Sequence, residues 1–139
     1  MIILDTNVIS ETQKPKPDPK VMAWLDTLDM SSTYLTAITV AELFFGVDQL
    51  PEGKRKTVLS DGVSHLIETI FYGRILPFDA TAAYFFGSMM ADARKQGHTI
   101  TFPDGAIAAI ARGNNFAAVA TRDVTPFAAM KIEIINPWE

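Results

Sequence analysis

The sequence predicts one α/β domain over residues 1–139, with a mainly parallel central sheet and helices on both of its faces. Three observations carry this. Short apolar segments rich in β-branched residues alternate with stretches of helical periodicity along the chain, the pattern of strand–helix–strand crossovers. The run Ala106-Ile107-Ala108-Ala109-Ile110-Ala111 is apolar at every position, as a helix buried in the middle of a layer would be. No repeat, linker or low-complexity tract interrupts the 139 residues, and a hydrophobic content of 48% is enough for a substantial core.

Taken in order, Met1-Ile2-Ile3-Leu4 suits a strand buried on both faces. Asp5-Thr6-Asn7 follows, three residues that favour turns and helix caps. A short helix is expected over 8–12, stopped by Lys14-Pro15-Lys16-Pro17-Asp18-Pro19. Asp18 can cap a second helix with Pro19 at its first position, and Val21, Met22, Trp24, Leu25 and Leu28 then fall at mostly helical spacing. After a turn at Ser31-Ser32, residues 33–38 read as the second strand. Thr39-Val40-Ala41-Glu42 fits a capping box, so the next helix is expected to start at Thr39, with Glu42 in its first turn. Pro51-Glu52-Gly53 breaks it, and a longer helix is expected over 54–73, ended by Gly73. Ile75-Leu76-Pro77-Phe78 is short and extended. Asp79 then caps a helix that runs to about Gln96 and ends at Gly97. Its Tyr84, Phe85, Phe86, Met89 and Met90 exceed one stripe, so part of this surface is expected to form an interface. Asp104-Gly105 is expected just before the buried helix. A strand over 116–120 then ends at Thr121-Arg122-Asp123, and a last strand over 132–135 precedes Asn136-Pro137-Trp138.

Composition excludes several classes of function. Cys is absent, so there is no disulfide framework and no thiolate metal site. His65 and His98 are too few for a His-rich zinc site. Any bound metal is therefore held by oxygen, which points to Mg²⁺ or Mn²⁺. A formal net charge of −4 argues against coating nucleic acid by bulk charge. It leaves room for local basic patches such as Lys14, Lys16 and Lys20, or Lys54, Arg55 and Lys56. No apolar run is long enough to span a membrane, and the N-terminus lacks the features of a secretion signal, so a cytoplasmic location is expected.

Four acids share one predicted context. Asp5 ends a strand, Glu42 opens a helix after a strand, Asp104 precedes the buried helix, and Asp123 follows a strand. In a doubly wound sheet all four positions lie at the carboxyl edge, where such folds bind ligands. Two unit charges ~4 Å apart repel by ~4 kcal/mol at an effective dielectric near 20. The cluster therefore calls for a cation, raised pKa values or helix dipoles. A hard divalent ion satisfies it and leaves positions open for phosphate. Thr6 and Asn7 can bind a phosphate oxygen or a metal-bound water, or simply cap the helix. Thr121 can orient Asp5 or a nucleophilic water, or cap a turn. Arg122 reads as a nucleic-acid contact or, more simply, as a solvated side chain.

At these residues the chain resembles the PIN-domain ribonucleases, and more narrowly the VapC-like toxins of the FitB-like branch. The resembling segments are MIILDTNVISE, YLTAITVAELFFGV, GRILPFD, PDGAIAAIA, VATRD and the terminal NPW. The resemblance implies a sheet of about five strands and Mg²⁺- or Mn²⁺-dependent RNA cleavage. It also implies homodimerisation and neutralisation by a co-encoded, small DNA-binding antitoxin. By position, Asp5, Glu42, Asp104 and Asp123 would be the acidic tetrad. Pro103 stands before the third acid where small residues are common, which could shift Asp104 slightly. Two alternatives belong to other classes: a phosphotransfer receiver-like domain, and a non-catalytic partner-binding module whose acids only cap helices. A nucleotide-binding Rossmann domain lacks its glycine-rich fingerprint here.

Overall fold

Five short parallel strands form the centre of the molecule in the order β3-β2-β1-β4-β5. They are β1 (Ile2–Leu4), β2 (Thr33–Thr36), β3 (Ile75–Leu76), β4 (Ala118–Ala120) and β5 (Ile134–Ile135). The computed structural model describes residues 1–139, and the sheet is parallel throughout. Strand order runs one way from β1 to β3 and the other way through β4 to β5. The topological switch point therefore lies at β1, and the crevice above its carboxyl end is the expected ligand site.

The sheet is covered on both faces. Ile3 and Leu4 are adjacent in sequence, so their side chains leave β1 on opposite sides, and each is buried in a different core. Ile3 packs with α5 (Ala80–Lys95), α6 (Phe102–Gly113) and α7 (Val124–Ala129) through Met89, Ala93, Ile107, Ile110 and Phe127. Leu4 packs with α1 (Thr6–Thr12), α2 (Pro19–Asp26), α3 (Ala37–Asp48) and α4 (Lys54–His65) through Val8, Ile9, Val21, Leu43, Val47 and Val63. Every residue from Gly105 to Ala111 in α6 is buried, as the all-apolar run requires.

Several element boundaries differ from the sequence expectation. α3 starts three residues earlier, because Thr36, not Thr39, is its cap: Thr36 Oγ1 accepts from the Thr39 N–H at 3.1 Å. Glu42 is thus in the second turn and caps nothing. α6 likewise starts at Phe102, capped by Thr101, which places Asp104 inside its first turn rather than before it. Pro103 sits at the start of this helix, where no backbone donor is needed. The long helix expected to Gly73 gives way at His65 to one π turn over Leu66–Ile70, and the chain turns at Gly73 with φ +75°. Arg74 then ties that turn to the sheet, donating to the carbonyls of Met30, Thr33 and Ile70 with its guanidinium over the Phe71 ring. Phe116 is not in a strand. It follows Asn115 in the left-handed region (φ 55°) and is exposed. On α5, Met89 is buried and Phe85, Phe86 and Met90 pack on the core, which leaves Tyr84 as the exposed residue of that apolar group.

Gly105 is a close-approach position. A Cβ there would stand 2.5 Å from Met90 Sδ and 3.0 Å from Phe86 Cε2. Both neighbours are side-chain ends that must shift, so Gly105→Ala is expected to lower stability by about 1–3 kcal/mol in urea melts. An unchanged midpoint would show that α5 gives way freely.

Candidate active site

The carboxyl ends of β1 and β4 are locked together by side chains. Asp5 leaves β1 in extended conformation and becomes the N-cap of α1, its Oδ1 accepting the Thr6 N–H at 2.7 Å. Its Oδ2 accepts from Thr121 Oγ1 at 2.8 Å and lies 3.4 Å from Asn7 Nδ2. Thr121 is fully buried just beyond β4, and its hydroxyl oxygen in turn accepts the Asp123 N–H at 3.0 Å. Asn7 spans the two strand ends. Its Nδ2 lies 3.2 Å from Thr121 Oγ1 and 3.5 Å from Asp123 Oδ2, and its Oδ1 accepts the Arg122 N–H at 3.3 Å. From the other side, Thr6 Oγ1 donates to Glu42 Oε1 at 2.7 Å.

All four predicted acids, with Thr6 and Asn7, line one open cleft of about 370 Å³. Thr121 stands behind them as a positioning group. Asp5 is 4% exposed, Glu42 and Asp104 are half-buried, and Asp123 is exposed at the rim. No three acidic side chains stand in a ready-made metal-binding arrangement. Their electrostatics nevertheless show a shared field. Burial pushes the Asp5 carboxyl up from 3.8 to about 6. The hydrogen bonds from Thr121 and Thr6 oppose that rise, and the charges of Asp104 and Glu42 add to it. Asp104 is also raised, first by burial, with Thr101 opposing and Asp123 and Glu42 adding repulsion. The donor set is all oxygen, and none of the four acids is in a salt bridge, which fits a hard divalent ion.

The remaining cleft residues are Ser10, Glu11, Lys14, Arg122 and Trp138. Glu11 is a residue that sequence reasoning missed. It is buried, accepts from Lys14 Nζ at 2.9 Å and from the Asp18 N–H at 2.9 Å, and those bonds with the Trp138 indole hold its carboxyl below the usual range. The signal was present: Asn7, Ser10 and Glu11 fall at i, i+3 and i+4, one face of α1, with Lys14 just past its end. A larger groove of about 920 Å³ adjoins the cleft and shares Ser10, Lys14 and Glu42. Its floor is apolar (Leu43, Val47, Leu59, Val63), and the acids belong to the smaller space.

A PIN domain model matches residues 2–132. The chain belongs to the PIN-domain family. Within the PIN family it is 48% identical over 139 residues to the VapC ribonuclease Y4jK of Sinorhizobium fredii, covering 100% of this chain and 99% of that one. It is 46% identical over 138 residues to Toxin FitB of Neisseria gonorrhoeae, with 99% of each covered. The structure of FitAB bound to an IR36 DNA fragment superposes with a TM-score of 0.94 at 45% identity, covering 100% of this chain and 96% of that one. These relatives bear out the VapC-like, FitB-like placement and the PIN fold. VapC nucleases with a PIN domain are generally divalent-metal dependent. No helix of this PIN chain is long and apolar enough to cross a membrane.

Proposed function

We propose that this PIN protein is an endoribonuclease and the toxin of a type II toxin–antitoxin pair, hydrolysing RNA phosphodiester bonds with water as nucleophile. The observation that carries the reading is the cleft at the switch point, where four carboxylates gather in a chain related over its whole length to a named VapC ribonuclease. No Ser, Cys or His is arranged there as a nucleophile.

Asp5, Glu42, Asp104 and Asp123 are the residues that would hold Mg²⁺ or Mn²⁺. A bound ion supplies Lewis-acid stabilisation of the scissile phosphate. The chain supplies orientation. Thr121 and the Thr6 N–H fix both oxygens of Asp5, and the Thr6 hydroxyl fixes Glu42. Asp104, half-buried in the first turn of α6, or Glu42 across the cleft would help position the attacking water. Asn7 holds the β1 and β4 ends at one separation, so the acids on both sides keep their places.

The partner is a small DNA-binding antitoxin, since the related toxin FitB is solved within FitAB on DNA. A basic side chain of that partner would bond the acids and displace the ion. A homodimer is part of the same reading. The receiver-like alternative has no support left once a PIN model spans 2–132.

The test is incubation of the purified protein with RNA and Mn²⁺. Cleavage that EDTA stops supports the reading, and intact RNA under all metal conditions overturns it. A second expectation concerns Thr6→Val, which keeps the shape but leaves Glu42 without its donor. Loss of such an outer partner costs about 10–100-fold in activity or metal affinity. Activity at the wild-type level would show that Glu42 needs no orientation.

A further inference from the structure

Arg122 and Trp138 come from different ends of the C-terminal segment and meet on one wall of the acid cleft, with the guanidinium carbon 5.3 Å from the centre of the indole ring. Two cations line that cleft, Lys14 and Arg122. Lys14 is neutralised by Glu11 at 2.9 Å. Arg122 has no carboxylate partner, although five acids share the cleft with it.

We propose that Arg122 is the residue that grips a non-bridging phosphate oxygen of the RNA beside the scissile bond, and that Trp138 is the positioning residue that holds its guanidinium over the indole ring. The inference rests on the ribonuclease reading and adds to it the group that lets a polyanion enter an acidic cleft. The physical need is plain. A chain of net charge −4 with its carboxylates gathered at one site repels RNA, and a partner-free guanidinium offers donors matched to phosphate oxygens.

The wall is built to hold this geometry. A ring face under a guanidinium leaves the N–H edge free to donate while restricting the side chain's rotation. The ring is itself fixed. The Trp138 backbone N–H donates to Asn136 Oδ1 at 3.0 Å. At the other end, the Arg122 backbone N–H donates to Asn7 Oδ1 at 3.3 Å, so the residue is anchored to the same bridge that joins the acids. Glu11 neutralises Lys14 and so leaves Arg122 as the unpaired cation of the wall.

The experiment measures kcat and KM for a fluorescent single-stranded RNA with Mn²⁺ over a KCl series. The proteins are wild type, Arg122→Gln, Arg122→Lys, Trp138→Ala and Trp138→Phe, with Lys95→Gln as an exposed control outside the cleft. Arg122→Gln should raise KM about tenfold with kcat nearly unchanged, and should flatten the plot of log(kcat/KM) against log[KCl] by ~0.7, the value of one phosphate contact on a single strand. Arg122→Lys should keep the salt slope and recover part of KM, because the charge stays and the fork is lost. Trp138→Ala should raise KM by a few-fold with the slope retained, and Trp138→Phe should restore it. Anisotropy of the same RNA with metal-free protein repeats the comparison without turnover. Cleavage with unaltered KM and slope in Arg122→Gln overturns this inference and leaves the ribonuclease reading standing. No cleavage by wild type, with binding that still depends on Arg122, overturns the ribonuclease reading alone.

Discussion

Asp5→Asn leaves the protein folded and removes Mn²⁺-dependent RNA cleavage. The fall should exceed about 100-fold, because even outer partners of a metal ligand cost 10–100-fold. The substitution keeps size and shape but replaces one of two acceptor oxygens by a donor. In the wild type, Oδ1 takes the Thr6 N–H, and Oδ2 takes the Thr121 hydroxyl with Asn7 Nδ2 nearby. An amide nitrogen placed at Oδ2 would face two donors and offer an ion nothing. Circular dichroism and urea melts establish that the variant folds, and a cleavage assay reads the loss. Retained activity at the wild-type level would remove Asp5 from the machinery.

The second large effect is on stability in the absence of metal. The Asp5 carboxyl is raised from 3.8 to about 6 in the folded protein, with burial as the main cause. The unfolded chain therefore releases this proton first as pH rises. Stability should fall between about pH 4 and pH 6, and the penalty should persist above that window. A shift of about two units corresponds to roughly 3 kcal/mol at 1.36 kcal/mol per unit. Asp104 is raised as well and acts with the same sign. Glu11 and Asp29 are lowered and act with the opposite sign: their contribution is present above their unfolded values and lost as pH falls through the lower folded ones. That loss occurs at more acid pH, so the range from about pH 4.5 to 6.5 separates the raised Asp5 and Asp104 from the lowered Glu11 and Asp29. Urea melts in EDTA should show the decline there, and Asp104→Asn should flatten part of it and be more stable than wild type at neutral pH. The gain is reduced because Asp104 also sits in the first turn of α6, where a negative charge is favourable by about 0.3–1 kcal/mol. Added Mn²⁺ should stabilise wild type by mass action, about 2.7 kcal/mol at one hundred times its dissociation constant. It should stabilise Asp104→Asn much less. Equal stabilisation of both would make Asp104 a structural residue.

The acids were legible because each follows a pattern that the backbone imposes. Asp5 comes directly after β1 and Asp123 follows the end of β4 by way of Thr121 and Arg122, and strand ends in a parallel sheet share one edge. The error at α3 shows why local boundaries matter less. Thr36 and Thr39 are both good caps, and only the end of β2, buried between β1 and β3, selects the first. A shift of three residues is nearly one helical turn, so Glu42 keeps its face although its role as a cap disappears. What stayed hidden was long-range. That Glu11 would meet the Asp18 N–H and the Trp138 indole depends on how the Pro-rich segment and the C-terminus return to α1. The left-handed conformation of Phe116 likewise follows from the turn after α6, since nothing about a Phe in sequence announces it.

The position of β1 has a bearing on how the protein is made. It is made before the other four strands, yet it lies at the middle of the sheet, and its neighbour on one side is β4, formed by residues 118–120. Thr121 and Asp123, which orient Asp5 and complete the cleft, are synthesised later still. A nascent chain that has reached α5 carries Asp5 and Glu42 but lacks β4 and its half of the crevice. Pairing across such a span is slow and waits for the distant segment. The order of translation therefore withholds the assembled cleft until residues 118–123 exist, and fragments broken off before Ala118 carry no completed site.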